Sequence, residues 1–220
     1  MKKFIFIPVV NNFELLEKAA RSVKPGLYDD YIIFNNSGSL IPENFYSGTP
    51  FRIWEPFNPR SFMETQNIMR QYAIDNKFDY YSFMHNDGEI HDDSDIRLIN
   101  HVENMTEKWG VVFTHYDVFC AFNTEAVKEI GEWGDELWPL QRSGYYLDCD
   151  YYRRLKLAGY QSSSLVDCQV SHVASNTIRD PDQAKLWYEQ SNAVASHYVE
   201  KWGGLNDNEI YTIPFNGVKK

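Results

Sequence analysis

The chain has 220 residues, which suits one ordinary domain with a substantial buried core. Its formal charge of −10 argues against a nucleic-acid backbone as the main partner, because such binding draws on clustered lysine and arginine. There is no run of about 18 apolar residues, so no transmembrane helix is expected.

The composition, 43% hydrophobic and 24% charged, is that of a globular protein, with an enlarged aromatic share of 15 Tyr, 14 Phe and 6 Trp. Aromatics pack cores and also line sugar-binding clefts. Cys120, Cys149 and Cys168 have no metal-ligand spacing, and their odd number fits a reducing, cytoplasmic setting better than a disulfide framework. Cys149 lies between two aspartates, which raise a thiol's pKa and argue against a catalytic thiolate.

In chain order, residues 3–10 (KFIFIPVV) read as a buried strand. The Met-Lys-Lys start lacks a small-residue cleavage site, so this run is expected to be structural and not a signal peptide. Phe13, Leu16, Ala20 and Val23 fall at helical spacing until Pro25-Gly26. Strands follow at 31–34 and 51–55, a helix at 61–77 and a strand at 80–84. The order so far is β-α-β-β-α-β. A helix is predicted at 93–105, strands at 111–114 and 118–122, and short helices at 124–130 and from about 148 to Gly159. A single strand is expected within 162–172, followed by a long amphipathic helix at 182–202 with Trp187, Val194, Tyr198 and Trp202 on one side. Alternating strands and helices imply one α/β domain with a mostly parallel central sheet flanked by helices.

Two acidic clusters stand out. His85-Asn86-Asp87-Gly88-Glu89 follows the 80–84 strand, where loops converge on the open edge of an α/β sheet and an acidic turn can hold Mg²⁺ or Mn²⁺. The same residues also suit a plain Asn-Asp-Gly turn. Asp148 and Asp150 open a helix, where an aspartate serves either as a general base or as a cap for orphan N–H groups. His172 lies on the expected final strand and gains a role only if it meets Asp87 in space.

Taken in order, these segments resemble the family-2 type of glycosyltransferase, whose catalytic domain has the GT-A fold. The segments are residues 6–11 (FIPVVN), the turn 35–39 (NNSGS), Gln66-Asn67-Ile68, His85-Asn86-Asp87, the stretch 130–136 (IGEWGDE), and Leu147-Asp148-Cys149-Asp150 continuing to Arg154-Leu155 and Ala158-Gly159-Tyr160. The resemblance spans residues 4–202 and implies one catalytic domain over 1–220. It divides into a nucleotide-sugar half at about 1–110, an acceptor half at about 111–180, and the C-terminal helix at about 182–203.

Residue by residue, the resemblance implies that Asp87 and His172 bind the cation and that Asp148 is the catalytic base. Pro8, Val9, Asn11, Asn36, Asn67 and Asn86 would lie around the nucleotide, and Trp133, Trp138, Tyr145 and Tyr146 around the acceptor. The chain departs from the family pattern at the second-strand turn, where an acidic residue is usual and Asn stands, and at Leu147, where Glu is usual. The implied activity is metal-dependent, inverting transfer of a sugar from a nucleoside diphosphate sugar to a hydroxyl of a glycan or glycoprotein. Two alternatives are a sugar-nucleotide nucleotidyltransferase, against which residues 8–14 contain neither Gly nor Lys or Arg, and a noncatalytic carbohydrate- or nucleotide-binding module.

Overall fold

The computed structural model of the protein describes residues 1–134, 146–173, 179 and 181–218. Its centre is a seven-stranded sheet in the order β3-β2-β1-β4-β7-β6-β8. The strands are β1 (Lys3–Val9), β2 (Asp30–Asn35), β3 (Arg52–Trp54), β4 (Tyr80–Met84), β6 (Trp109–Thr114), β7 (Tyr116–Asn123) and β8 (Gln161–Ser164). Only β7 runs against the rest, pairing antiparallel with both β4 and β6. A separate two-stranded sheet joins β5 (Gly88–Ile90) to β9 (Val170–His172).

β1 is a near-continuous apolar run because parallel neighbours and helices cover it on both sides and both faces. Its period of two splits the core. Ile5, Ile7 and Val9 pack with residues of helices α1 (Phe13–Ser22) and α3 (Ser94–Glu103). Phe4 and Phe6 pack on the other face with α2 (Phe62–Asp75), α4 (Thr124–Ile130), α5 (Leu147–Leu157) and α6 (Pro181–Trp202). The sheet is thus the middle layer of an α/β/α sandwich.

The helices begin and end where local chemistry directs. Ser61 and Glu64 form a reciprocal capping box at the start of α2. Asn123 caps α4 by accepting from the Ala126 N–H. On α6, Val194, Tyr198 and Trp202 are fully enclosed, as the amphipathic pattern predicts.

Two expectations are corrected. The segment 162–172 is two strands, not one: the turn closed by Cys168 N–H donating to Leu165 C=O sends β8 to the main sheet and β9 to β5. The cluster 85–89 is only partly a turn, since Gly88 and Glu89 already belong to β5. Both differences bear on function, because the β5–β9 ladder sets Gly88 opposite His172.

Candidate functional site

In the order β3-β2-β1-β4, chain direction across the sheet reverses between β1 and β4, and the crevice outside the carboxyl ends of such strands is where open α/β sheets bind ligands. β4 delivers His85 to this edge. The His85 N–H donates to Val118 C=O at 2.9 Å, and the Gly88 N–H closes the turn on His85 C=O at 3.1 Å. Any side chain at 88 would start 2.8 Å from Val118 Cγ1, so the close approach of β7 requires glycine there.

The turn and the β5–β9 ladder bring three side chains together. His172 Nε2 lies 3.1 Å from Asp87 Oδ1, and His85 Nδ1 lies 3.9 Å from the same oxygen. One ligand atom from each of His85, Asp87 and His172 falls within 4.8 Å of the others. The backbone supports the cluster, as Val173 N–H donates to Asp87 C=O at 3.1 Å. The hydrogen bond to Asp87 raises the pKa of His172, whereas burial lowers that of His85. One carboxylate and two imidazoles converging at this distance fit a divalent cation with mixed oxygen and nitrogen preference. Glu89, opposite Ser171 on β5, is outside the cluster.

Asp148 is in the first turn of α5. It is not the helix cap: that position is Tyr146, in left-handed backbone at φ 61° with no side-chain capping bond. Asp148 Oδ1 accepts from the Cys149 N–H at 2.9 Å. Burial, followed by the charge of Asp117, pushes its carboxyl pKa up to about 6. Such a carboxylate is mostly ionised at neutral pH yet holds a proton better than an ordinary aspartate, as a general base requires.

Asp150 has a different role. It is fully buried and accepts from Lys201 Nζ at 2.7 Å, Arg154 Nε at 2.9 Å and Trp202 Nε1 at 2.9 Å. These contacts fasten α5 to the end of α6 and so hold the helix that carries Asp148. The Cys149 thiol pKa is raised by burial and then by Asp148, consistent with an inert thiol.

The residues expected around the nucleotide are largely engaged within the protein. Asn36 is buried; its amide donates to Thr65 Oγ1 at 2.8 Å and its Oδ1 accepts from the Arg60 N–H at 2.9 Å. Asn67 clasps Trp133 from both sides, accepting from its N–H at 2.7 Å and donating to its C=O at 3.2 Å. Asn86 donates to Asn11 C=O at 3.0 Å, linking the ends of β1 and β4. The Val9 side chain is fully buried and its carbonyl accepts from the Asn36 N–H, while Pro8 and Asn11 are half-buried. Together these residues brace the rim of the crevice.

Trp133 is corrected from the acceptor side to the core. At 2% exposure, it stacks on Tyr151 with ring centroids 4.0 Å apart and planes 6° apart, so it has no free face for a sugar. Tyr146 is half-buried, with its ring 5.2 Å from that of Tyr198. Trp138 and Tyr145 lie outside the described residues.

Sequence reasoning missed two residues. His85 enters the sequence reading only within the 85–89 cluster, with no ligand role of its own, yet its imidazole converges on Asp87. Asp117 drew no attention because it belongs to no motif; its charge acts on His85, His172 and Asp148 alike. A cleft of about 340 Å³ between the loops after β2 and β3, lined by Asn35, Glu55 and Phe57 among others, includes none of the triad.

No protein-family model and no curated protein sequence matches the chain. Solved structures do. A mannosyltransferase from Pyrobaculum calidifontis, in complex with GDP-Man and Mn²⁺, aligns at TM-score 0.58 and 11% identity, over 87% of this chain and 64% of that one. S. aureus TarS 1–349 with UDP-GlcNAc aligns at 0.57 and 10%, over 91% and 72%. Glucosyl-3-phosphoglycerate synthase from Mycobacterium tuberculosis, with Mn²⁺, UDP-Glc and phosphoglyceric acid, aligns at 0.58 and 15%, over 88% and 78%. The chain spans less than two thirds of the mannosyltransferase's length. The shared architecture is the GT-A fold expected from the sequence: a mostly parallel sheet between helical layers. Among the described residues no helix is long and apolar enough to cross a membrane.

Proposed function

We propose that the protein is a metal-dependent, inverting glycosyltransferase that moves one sugar from a nucleoside diphosphate sugar to a hydroxyl of a glycan or glycoprotein. The observation that carries this reading is the cluster of His85, Asp87 and His172 at the carboxyl edge of a GT-A sheet, with Asp148, a carboxylate tuned to about 6, at the start of α5. The three structures above supply further support, since each contains a nucleotide sugar and two contain Mn²⁺.

In this reading His85, Asp87 and His172 hold Mn²⁺ or Mg²⁺. When bound there, the ion supplies Lewis-acid stabilisation of charge on the departing diphosphate. Asp148 accepts the proton of the acceptor hydroxyl as its oxygen forms a bond to the anomeric carbon. The bond from that carbon to the diphosphate oxygen breaks in the same step. One displacement from the face opposite the leaving group inverts the configuration and yields a glycoside and a nucleoside diphosphate. The Asp150–Lys201–Trp202 contacts keep Asp148 aimed during the step.

The test is a donor panel of GDP-mannose, UDP-glucose and UDP-N-acetylglucosamine, read by thermal shift with and without Mn²⁺. One donor is expected to stabilise the protein only with the ion present, with the effect lost in Asp87→Ala. Transfer by Asp148→Asn at near-wild-type rate would refute the assigned base.

A further inference from the structure

The hairpin joining β6 to β7 has no place in the mechanism above, yet it touches the elements that carry both halves of the site. Pairing shifts by a register step between Phe113 and Thr114, and Tyr116 takes left-handed backbone at φ 49°. The next residue, Asp117, is half-buried. On one side, Val118 accepts from the His85 N–H and packs against Gly88, so β7 starts beside the triad's turn. On the other, Phe113 meets the ring of Tyr152 at 4.9 Å, so the same hairpin abuts α5, the helix that carries Asp148.

Among the described residues no N–H or O–H donates to the Asp117 carboxylate and no Lys or Arg nitrogen lies within 4 Å of it, and the residue is partly open to solvent. Its negative charge favours the protonated form of His85, His172, Asp148, Cys149 and Tyr152 alike. A partly desolvated carboxylate without donors calls for hydrogen-bond donors from solvent or ligand.

Glycosyl transfer identifies the ligand that belongs there. The sugar in transit is bonded to the diphosphate at the triad, while its anomeric carbon faces the hydroxyl at Asp148. It therefore occupies the space between the two, and the hairpin that carries Asp117 touches the elements on both sides of it. We infer that Asp117 is the donor-sugar recognition residue, its carboxylate accepting hydrogen bonds from one or two ring hydroxyls of the sugar being transferred. This rests on the transfer reading above and adds selectivity among sugars on the same nucleotide. An ionised acceptor paired with hydroxyls rejects a donor lacking them far better than an apolar wall does.

The experiment compares wild type, Asp117→Asn and Asp117→Ala by calorimetric titration in Mn²⁺. The ligands are GDP and GDP-mannose, UDP and UDP-glucose, and UDP-N-acetylglucosamine; melting curves check that each variant is folded. For the donor that wild type selects, the free nucleoside diphosphate is expected to bind both variants within about twofold of wild type. The nucleotide sugar is expected to weaken by about 10- to 100-fold, the range for hydrogen bonds to a charged group. A deoxy form of that sugar, lacking the recognised hydroxyl, is expected to bind wild type and Asp117→Asn alike. The inference is overturned if nucleotide and nucleotide sugar weaken together, if neither weakens, or if Asp117→Asn binds the nucleotide sugar normally but cannot transfer it, which would make Asp117 the base. Failure of wild type to bind any nucleotide sugar would instead sink the transfer reading itself.

Discussion

Asp148→Asn is expected to inactivate the protein and at the same time stabilise it. The half-buried carboxyl has a pKa of about 6 against an ordinary 3.8, so the folded state holds its proton more tightly than the unfolded chain does. A gap of about two pH units is worth about 3 kcal/mol at 1.36 kcal/mol per unit. The sign is opposite to that of a salt-bridged aspartate. Below pH 4 the group is protonated in both states and costs nothing. From about pH 4 to 6 the unfolded chain has released its proton while the fold retains it, so stability falls as pH rises, and above 6 the full cost persists.

Asparagine keeps the Oδ1 acceptor for the Cys149 N–H and never ionises. Wild type and variant should therefore unfold alike near pH 4. At pH 8 the variant should gain up to about 3 kcal/mol, or about 6–12 °C in midpoint for a chain of this size. Urea titrations at the two pH values, with chelator present so that no metal contributes, measure this directly. An equal gain at both pH values, or a loss at pH 8, would refute the claim that burial and Asp117 penalise the charge. In activity, the acidic limb of the wild-type pH profile should have its midpoint near 6, and Asp117→Asn should move it lower because one like charge is removed.

Asp150→Ala should be among the most damaging substitutions outside the apolar core. It removes the buried carboxylate that the Nζ of Lys201, itself 3% exposed, meets at 2.7 Å and that Arg154 and Trp202 also donate to, a loss of about 3–5 kcal/mol that a chemical denaturation midpoint would register. A cost under 1 kcal/mol would show that α5 and α6 are not fastened through this residue. Two imidazoles in the triad should also make Mn²⁺ bind more tightly than Mg²⁺, which favours oxygen ligands. His85→Asp should narrow that preference, read as the ratio of metal concentrations giving half-maximal thermal shift; an unchanged ratio would remove His85 from the ligand set.

Much of the architecture was legible because it rests on local signals. The apolar run of β1, the β-α-β-β-α-β order, the helix at Thr124–Ile130 and the inner face of α6 all follow from periodicity and punctuation that act over a few residues. The 162–172 segment misled because a short run of serines and a three-residue strand have weak intrinsic preference, and their partners decide their sheets. Trp133 misled for a similar reason. A tryptophan beside an expected acceptor loop looks like a sugar platform until Asn67 and Tyr151 are seen to draw it inward.

The candidate site divides along the same line. Asp87 and Asp148 were readable as the acids that end a strand and open a helix, since each is marked by its own element. That His172 reaches Asp87 depends on a ladder between residues 88–90 and 170–172, and the role inferred for Asp117 depends on a hairpin that touches elements on both sides of the site. Sequence alone therefore determined the layered sheet, its open carboxyl edge and the two acidic residues delivered there, because short-range patterning specifies those. Tertiary structure decided which groups converge with them, turning His85 and His172 toward one carboxylate, Asp150 into an anchor and the β6–β7 hairpin against both sides, because proximity across roughly 30 to 90 residues leaves no periodic trace in the chain.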